Sequence, residues 1–163
     1  NNLNHGINYL LYEQKYLGFN YRLTDIQAAL GISQLKKLNL FIKKRRSIAS
    51  VYNQHLDNKN LILPVEKKYA KSSFHLYVVL IKDKKKKVRN ELIYFLKRNK
   101  IFTNIHYKPI HLQPYFKKFG FKKGDFKNAE NYYERAISLP IHPNLKKKDV
   151  MMVIEKINKF FKK

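Results

Sequence analysis

The sequence predicts an α+β fold, and three observations carry that prediction. Apolar residues recur every three to four positions over Thr24 to His55, from Val88 to Leu96 and from Val150 to Phe161, the spacing of helices with one buried face. Two β-rich runs, Phe74 to Ile81 and Ile101 to Tyr107, bracket the second of these helices. A shorter run, Ile137-Ser138-Leu139-Pro140, reads as one more strand.

The first helix has a defined start. Thr24 is followed three residues later by Gln27, the spacing of a capping box that satisfies two orphan backbone donors. Ala28, Gly31, Leu35, Leu38, Ile42, Ala49, Tyr52 and Leu56 continue its stripe. One helix running to His55 would be roughly 48 Å long at 1.5 Å per residue, more than a domain of this size needs across its own core, so a helix bridging two bodies is expected. Phe74 to Ile81 contains few charges and reads as a buried strand, closed by the Lys82 to Lys87 cluster. Val88, Leu92, Phe95 and Leu96 trace a short amphipathic helix, and the strand after it stops at Lys108-Pro109, because proline restricts the residue before it. A loop rich in Tyr115, Phe116, Phe119 and Phe121, punctuated by Gly120 and Gly124, leads into a helix carrying Ala129, Tyr132, Tyr133 and Ala136. The closing helix places lysines opposite its apolar stripe.

A chain of 163 residues suffices for one domain with its own core and part of another. Its 35 basic and 11 acidic residues give a formal charge of +24, which raises nucleic acid as a partner. Only six of the basic residues are arginine, however. Recognition of bases and phosphates favours the bidentate arginine fork, so lysine-dominated charge fits a solvated surface better. A basic RNA-associated α+β module is the competing reading, supported by net charge alone, and a truncated gene product without activity is a third. At 44% hydrophobic residues, with 12 Tyr and 11 Phe, the chain is too apolar for a disordered tail. The absence of cysteine excludes disulfides, thiolate metal sites and a thiol nucleophile. The longest apolar runs, such as Leu76 to Ile81, fall far short of a bilayer span of about 20 residues. A soluble cytoplasmic protein is expected, with no membrane and no nucleic-acid partner. Because the chain opens on Asn1-Asn2-Leu3-Asn4 without a methionine, it is expected to be a piece of a longer protein.

Two places could carry chemistry. His106 and His111 flank Lys108-Pro109 at the end of a predicted strand, where a rigid turn can aim both rings into a cleft; the plainer reading is a polar strand end with exposed imidazoles. His75, inside an apolar strand, is expected to be a core or interdomain residue, and His55 a surface one. No two of the six histidines have the i, i+4 spacing of a helical zinc site, so no metal is expected. The second place is Gly18-Phe19-Asn20-Tyr21-Arg22, immediately before the first helix. An amide and a guanidinium beside a helix start donate readily to phosphate or carboxylate oxygens, although such residues also occur there for capping.

The run Leu17-Gly18-Phe19-Asn20-Tyr21-Arg22-Leu23-Thr24-Asp25-Ile26-Gln27-Ala28-Ala29-Leu30-Gly31, with Ser33-Gln34-Leu35 after it, strongly resembles the sugar aminotransferases of the DegT/DnrJ/EryC1/StrS family. The resemblance extends through His5-Gly6-Ile7, His75-Leu76-Tyr77, His106-Tyr107-Lys108-Pro109-Ile110-His111 and Ser138-Leu139-Pro140, covering nearly the whole chain. It implies the C-terminal part of a fold-type I transferase that uses pyridoxal 5'-phosphate to move an amino group from glutamate to a nucleotide-linked keto sugar. Residues 1–23 would complete the large cofactor domain, and residues 24–163 would form a long connecting helix and the small domain. Ser72-Ser73-Phe74-His75-Leu76-Tyr77 together with His106-Tyr107-Lys108-Pro109 looks most like the branch acting on 4-keto-6-deoxy sugars in pseudaminic acid synthesis.

The resemblance also implies site residues. Asn20 would reach across a homodimer interface to the cofactor phosphate of the partner subunit, with Arg22 beside it. His106 and Tyr107 would lie near the sugar, His111 would be a further substrate contact, and His5 would stand at the substrate mouth. No lysine here matches the context of the family's Schiff-base lysine, so no catalytic residue is assigned and the chain by itself is expected to be inert. Lys146 stands where relatives carry a small capping residue before the last helix, and Asn144 is expected to cap in its place.

Overall fold

The computed structural model describes residues 16–19, 21–83 and 86–162. The chain divides into two compact units, residues 1–37 and 38–163.

The described part of the first unit centres on helix α1, Asp25–Leu35. Its start follows the predicted capping box: Gln27 N–H donates to Thr24 Oγ1 at 3.3 Å, and Thr24 N–H donates to Gln27 Oε1 at 3.0 Å. Helix α2, Leu38–His55, opens the second unit. The single helix expected from Thr24 to His55 is therefore two. The regular ladder closes with Lys36 N–H on Ile32 O, and a tighter i→i−3 bond from Lys37 N–H to Gln34 O follows at 3.0 Å. Neither glycine nor proline marks this break, which is why spacing alone runs through it.

In the second unit the elements are β1 (Leu61–Ile62), β2 (Tyr77–Ile81), α3 (Lys86–Arg98), α4 (Pro114–Lys117), α5 (Lys127–Arg135), β3 (Ala136–Leu139) and α6 (Lys147–Phe161). A 3₁₀ turn at Ile110–Leu112 precedes α4. The strands form an antiparallel sheet in the order β1-β2-β3, with Leu61 opposite Ile81 and Tyr77 opposite Leu139. Burial alternates along β2, where Tyr77, Val79 and Ile81 are buried, as expected of a strand whose alternate side chains enter one core. There they meet Ile48 and Tyr52 of α2, Leu92 and Leu96 of α3, and Val150, Val153, Ile154 and Ile157 of α6. The rings of Tyr52 and Tyr77 lie 4.8 Å apart, and their hydroxyls donate to Pro140 O at 2.8 Å and Asn53 Oδ1 at 2.6 Å. Two tyrosines can thus be buried with their polar ends satisfied.

Residues Ile101 to Tyr107 are not a strand. Only Asn104 pairs, in an isolated bridge to Ser138, so the segment touches the free edge of β3 at one point. The strand expected from Phe74 starts at Tyr77, and Ala136, expected to end a helix, begins β3. Asn144 does not cap α6: Lys146 occupies the N-cap with no side-chain cap bond. Among the described residues no helix is long and apolar enough to cross a membrane.

Candidate functional site

The bridge between Asn104 and Ser138 builds the site. Ser138 N–H donates to Asn104 O at 2.8 Å and Asn104 N–H to Ser138 O at 3.2 Å, which fixes the segment leading to His106 against β3. Asn104 Oδ1 then accepts from Ile105 N–H at 2.7 Å and turns the chain. His106 follows, its Nδ1 2.7 Å from Ser138 Oγ. The ring of Tyr107 stands edge-on to that of His106 at 4.6 Å, and Tyr107 is 73% exposed. The peptide joining them is cis.

A cleft of about 310 Å³ opens here, lined by His75, Phe102, Thr103, Asn104, His106, Ser138 and the chain from Leu139 to Ile141. Two imidazoles, two hydroxyls and an amide on one apolar-backed wall suit an oxygen-rich ligand, whose hydroxyl and carbonyl groups need both donors and acceptors. Thr103 Oγ1 is buried without a hydrogen-bond partner among the described residues. A hollow of about 560 Å³ lined by Lys44, Ser47, Asn144 and Lys147 contains no histidine and none of the residues expected in a site. Among the described residues no cluster of three or more metal-ligating side chains occurs.

Of the two places expected for His75, the core is excluded: it lies before β2, exposed, on the rim of the cleft. The strand begins two residues later, so the apolar run around His75 does not bury it. His111 moves the other way. It is only 7% exposed, its Nε2 donates to Glu130 Oε1 at 2.8 Å, and its ring packs on Phe126 at 4.8 Å. It is not among the residues lining the cleft. Glu130 also accepts from Gly124 N–H at 2.8 Å and Phe126 N–H at 3.4 Å, and Gly124, at φ +102°, needs the left-handed freedom of glycine. The His111 hydrogen bond, helped by these amides, holds the Glu130 carboxyl below the usual carboxylate range against the opposing effect of burial. His111 and Glu130 thus tie the turn after Pro109 to the aromatic loop.

A second clamp fixes the approach to β2. Arg46 grips both oxygens of Glu66 at 2.7 and 3.0 Å and donates to Ser72 O, while Ser72 N–H donates to Glu66 Oε1. Its members lie up to 26 residues apart, so no local pattern marks it.

In the first unit Arg22 is exposed just ahead of α1. His5 and Asn20 lie outside the described residues.

Residues 3–158 match the DegT/DnrJ/EryC1/StrS aminotransferase family. The chain belongs to that family. It is 37% identical over 140 residues to the UDP-4-amino-4,6-dideoxy-N-acetyl-beta-L-altrosamine transaminase of Campylobacter jejuni, covering 84% of this chain and 36% of the relative. Among solved structures it is similar to Helicobacter pylori PseC, an aminotransferase of pseudaminic acid biosynthesis, at 35% identity and a TM-score of 0.80, over 92% of this chain and 40% of that one. It is also similar to the Streptococcus pneumoniae protein Spr1654, assigned as a sugar aminotransferase and solved in its PLP form, at 29% identity and a TM-score of 0.81, over 86% and 36% of the two chains. The chain therefore spans about 40% of the length of the proteins it matches. Its fold is that of the small-domain portion of these PLP-dependent sugar aminotransferases.

The described residues fit pyridoxal phosphate in part. Arg22 places a permanent cation at the start of a capped helix, the chemistry a phosphate monoester needs. No lysine here lies in the context of the family's cofactor-anchoring lysine.

Proposed function

We propose that the whole protein to which this chain corresponds transfers an amino group from glutamate to a nucleotide-linked 4-keto-6-deoxy sugar of the pseudaminic acid type, as a cytoplasmic homodimer. The observation that carries the reading is the cleft beside Ser138, where His106, with Tyr107 packed edge-on against it, offers donors and acceptors to an oxygenated ligand. Likeness to the altrosamine transaminase and to PseC supports this class of sugar. Pyridoxal phosphate, when bound, would carry the amino group between the two substrates and supply the electron sink that the transfer needs.

The chain's own residues bind and orient. Asn20 and Arg22 donate to the cofactor phosphate across the subunit interface, where charge-assisted bonds are strongest. His106 and Tyr107 hold sugar oxygens, and His5 stands at the mouth. His111 acts by bracing the turn through Glu130 rather than by touching substrate. Residues 1–23 complete the large domain, and residues 24–163 form the connecting helices and the small domain. The anchoring lysine comes from outside this sequence, so the chain alone is inert.

The test is turnover by the complete protein, loaded with pyridoxal phosphate and glutamate, on UDP-linked 4-keto-6-deoxy-N-acetyl sugars, with the aminated product identified by mass spectrometry. No aminated product from any of these sugars rejects the substrate class. In the same protein Asn20→Ala weakens cofactor binding by about 1–3 kcal/mol, and unchanged cofactor affinity rejects its assigned role.

A further inference from the structure

One hydroxyl in the cleft has a use that sugar binding does not account for. Ser138 is 5% exposed. Its backbone N–H and C=O are both taken by Asn104, so the strand pairing asks nothing of its side chain. Its Oγ lies 2.7 Å from His106 Nδ1 and has no other partner among the described residues.

A serine hydroxyl carries one proton that it must place, and burying that proton unbonded costs the desolvation of the group. Nδ1 of His106 is the acceptor in reach. If Nδ1 carried the proton instead, it would donate to Oγ and leave the serine proton without an acceptor among the described residues. Nδ1 therefore keeps its lone pair, and in the neutral ring the proton sits on Nε2. That nitrogen has no hydrogen-bond partner among the described residues, while the ring lines the cleft.

We infer that Ser138 is a positioning residue, whose hydroxyl donates to Nδ1 of His106 and fixes the imidazole as the tautomer that presents an Nε2–H donor. The imidazole is then selective by hydrogen-bond type. It favours an acceptor, such as a carbonyl or ring-hydroxyl oxygen, over an amine or ammonium that would compete as a donor. This consequence for the ligand rests on the proposed sugar-binding role of His106; the tautomer itself does not.

The experiment is a long-range ¹H–¹⁵N correlation spectrum of the protein labelled with ¹⁵N-histidine, at about pH 8, where an ordinary imidazole is neutral. His106 is assigned by the signals lost in His106→Gln. The expected result is an unprotonated Nδ1 and a protonated Nε2, favoured roughly fivefold to tenfold by the buried hydrogen bond. Ser138→Ala moves the ratio toward that of free histidine in the same buffer, and Ser138→Thr, which keeps the hydroxyl, restores it. A protonated Nδ1 in the unaltered protein overturns the inference. So does an unchanged ratio in Ser138→Ala with the β2–β3 amide signals intact. Should Ser138→Ala fail to fold, the unaltered protein and Ser138→Thr still decide. Failure of the complete enzyme to aminate any UDP-sugar, with the tautomer as inferred, rejects the substrate and leaves the role of Ser138 standing. A protonated Nδ1 in an active enzyme rejects the role of Ser138 alone.

Discussion

Helices α1 and α6 use the same kinds of residue to opposite ends. Ile26 and Leu30 of α1 are 83% and 61% exposed, and none of its eleven residues is buried. Over its fifteen residues α6 buries Val150, Val153, Ile154 and Ile157 in one core with α2, α3 and the sheet. The beginning of α1 is written locally, in the Thr24–Gln27 capping box. That of α6 lacks any side-chain cap and has lysine at the N-cap. A helix can therefore be specified by its first turn or by what it buries, and this chain contains one of each kind. Helices shorter than about 12–15 residues are marginal on local signals alone, so the two should respond differently to substitution.

The largest expected contrast is between core and exposed leucines. Leu96→Ala, on α3 within the core, should lower the unfolding free energy by about 2–5 kcal/mol. Leu30→Ala on α1 should change it by no more than about 0.5 kcal/mol. Urea denaturation of both variants checks this, and equal costs would erase the distinction between the two helices.

Tyr52→Phe sharpens the comparison inside the core. It removes the bond to Pro140 O and leaves that carbonyl short of a donor, which should cost about 1–3 kcal/mol. Burial pushes the phenols of both Tyr52 and Tyr77 well above the ordinary tyrosine value. A folded-state pKa raised in this way gives stability that is fully present below the unfolded value, about 10, and is lost as pH rises above it. Alkaline ultraviolet titration should therefore show these phenols ionising late, together with unfolding. Ionisation of all tyrosines in the ordinary range with the fold intact would contradict their burial.

The same contrast explains what the sequence made legible. The capping box, α3, α5 and α6 follow from spacing and turn chemistry, because each signal lies within one turn or one face. The division at Lys36–Lys37 does not, since no residue type marks it and only the tightened hydrogen bond records it. The pairing of β1 with β2 joins Leu61 to Ile81 across 20 residues, a separation that no local pattern encodes. His106 could be singled out from the Lys108-Pro109 stop and Tyr107 from the family resemblance, whereas Ser138 and His75 join His106 in the cleft only once β3 stands beside residues 102–106. The partnership of His111 with Glu130 was hidden for a related reason: a histidine in a polar turn reads the same whether it faces a ligand or a carboxylate 19 residues away.

On the exposed side of the comparison, Thr24→Ala should cost α1 about 1 kcal/mol, because Gln27 N–H loses its acceptor. The loss belongs to the helix alone. Hydrogen exchange of the first-turn amides should accelerate while the amides of β2 and α6 keep their protection. Equal acceleration in both places would mean that α1 is bound to the global stability after all.

The smallest expected effect is confined to the loop held by Glu130. Its carboxyl is depressed below the usual range chiefly by the His111 hydrogen bond. A depressed folded-state value gives stability that is present above the ordinary carboxylate pKa, about 4.3, and is lost as pH falls through the folded value. Acid should thus release the Gly124 and Phe126 amides while the core amides remain protected, which exchange measured at successively lower pH can follow. Asp125, which accepts from Lys122 N–H, and Glu134, paired with Lys123, place two more carboxyls on the same loop and helix, so Glu130→Gln is the deciding control. Gln preserves the shape and an acceptor oxygen but carries no charge to titrate, and protection of Gly124 in this variant should no longer depend on pH in the acid range. If the dependence persists, Asp125 or Glu134 governs the loop, and the tie between His111 and Glu130 is a hydrogen bond whose charge contributes nothing.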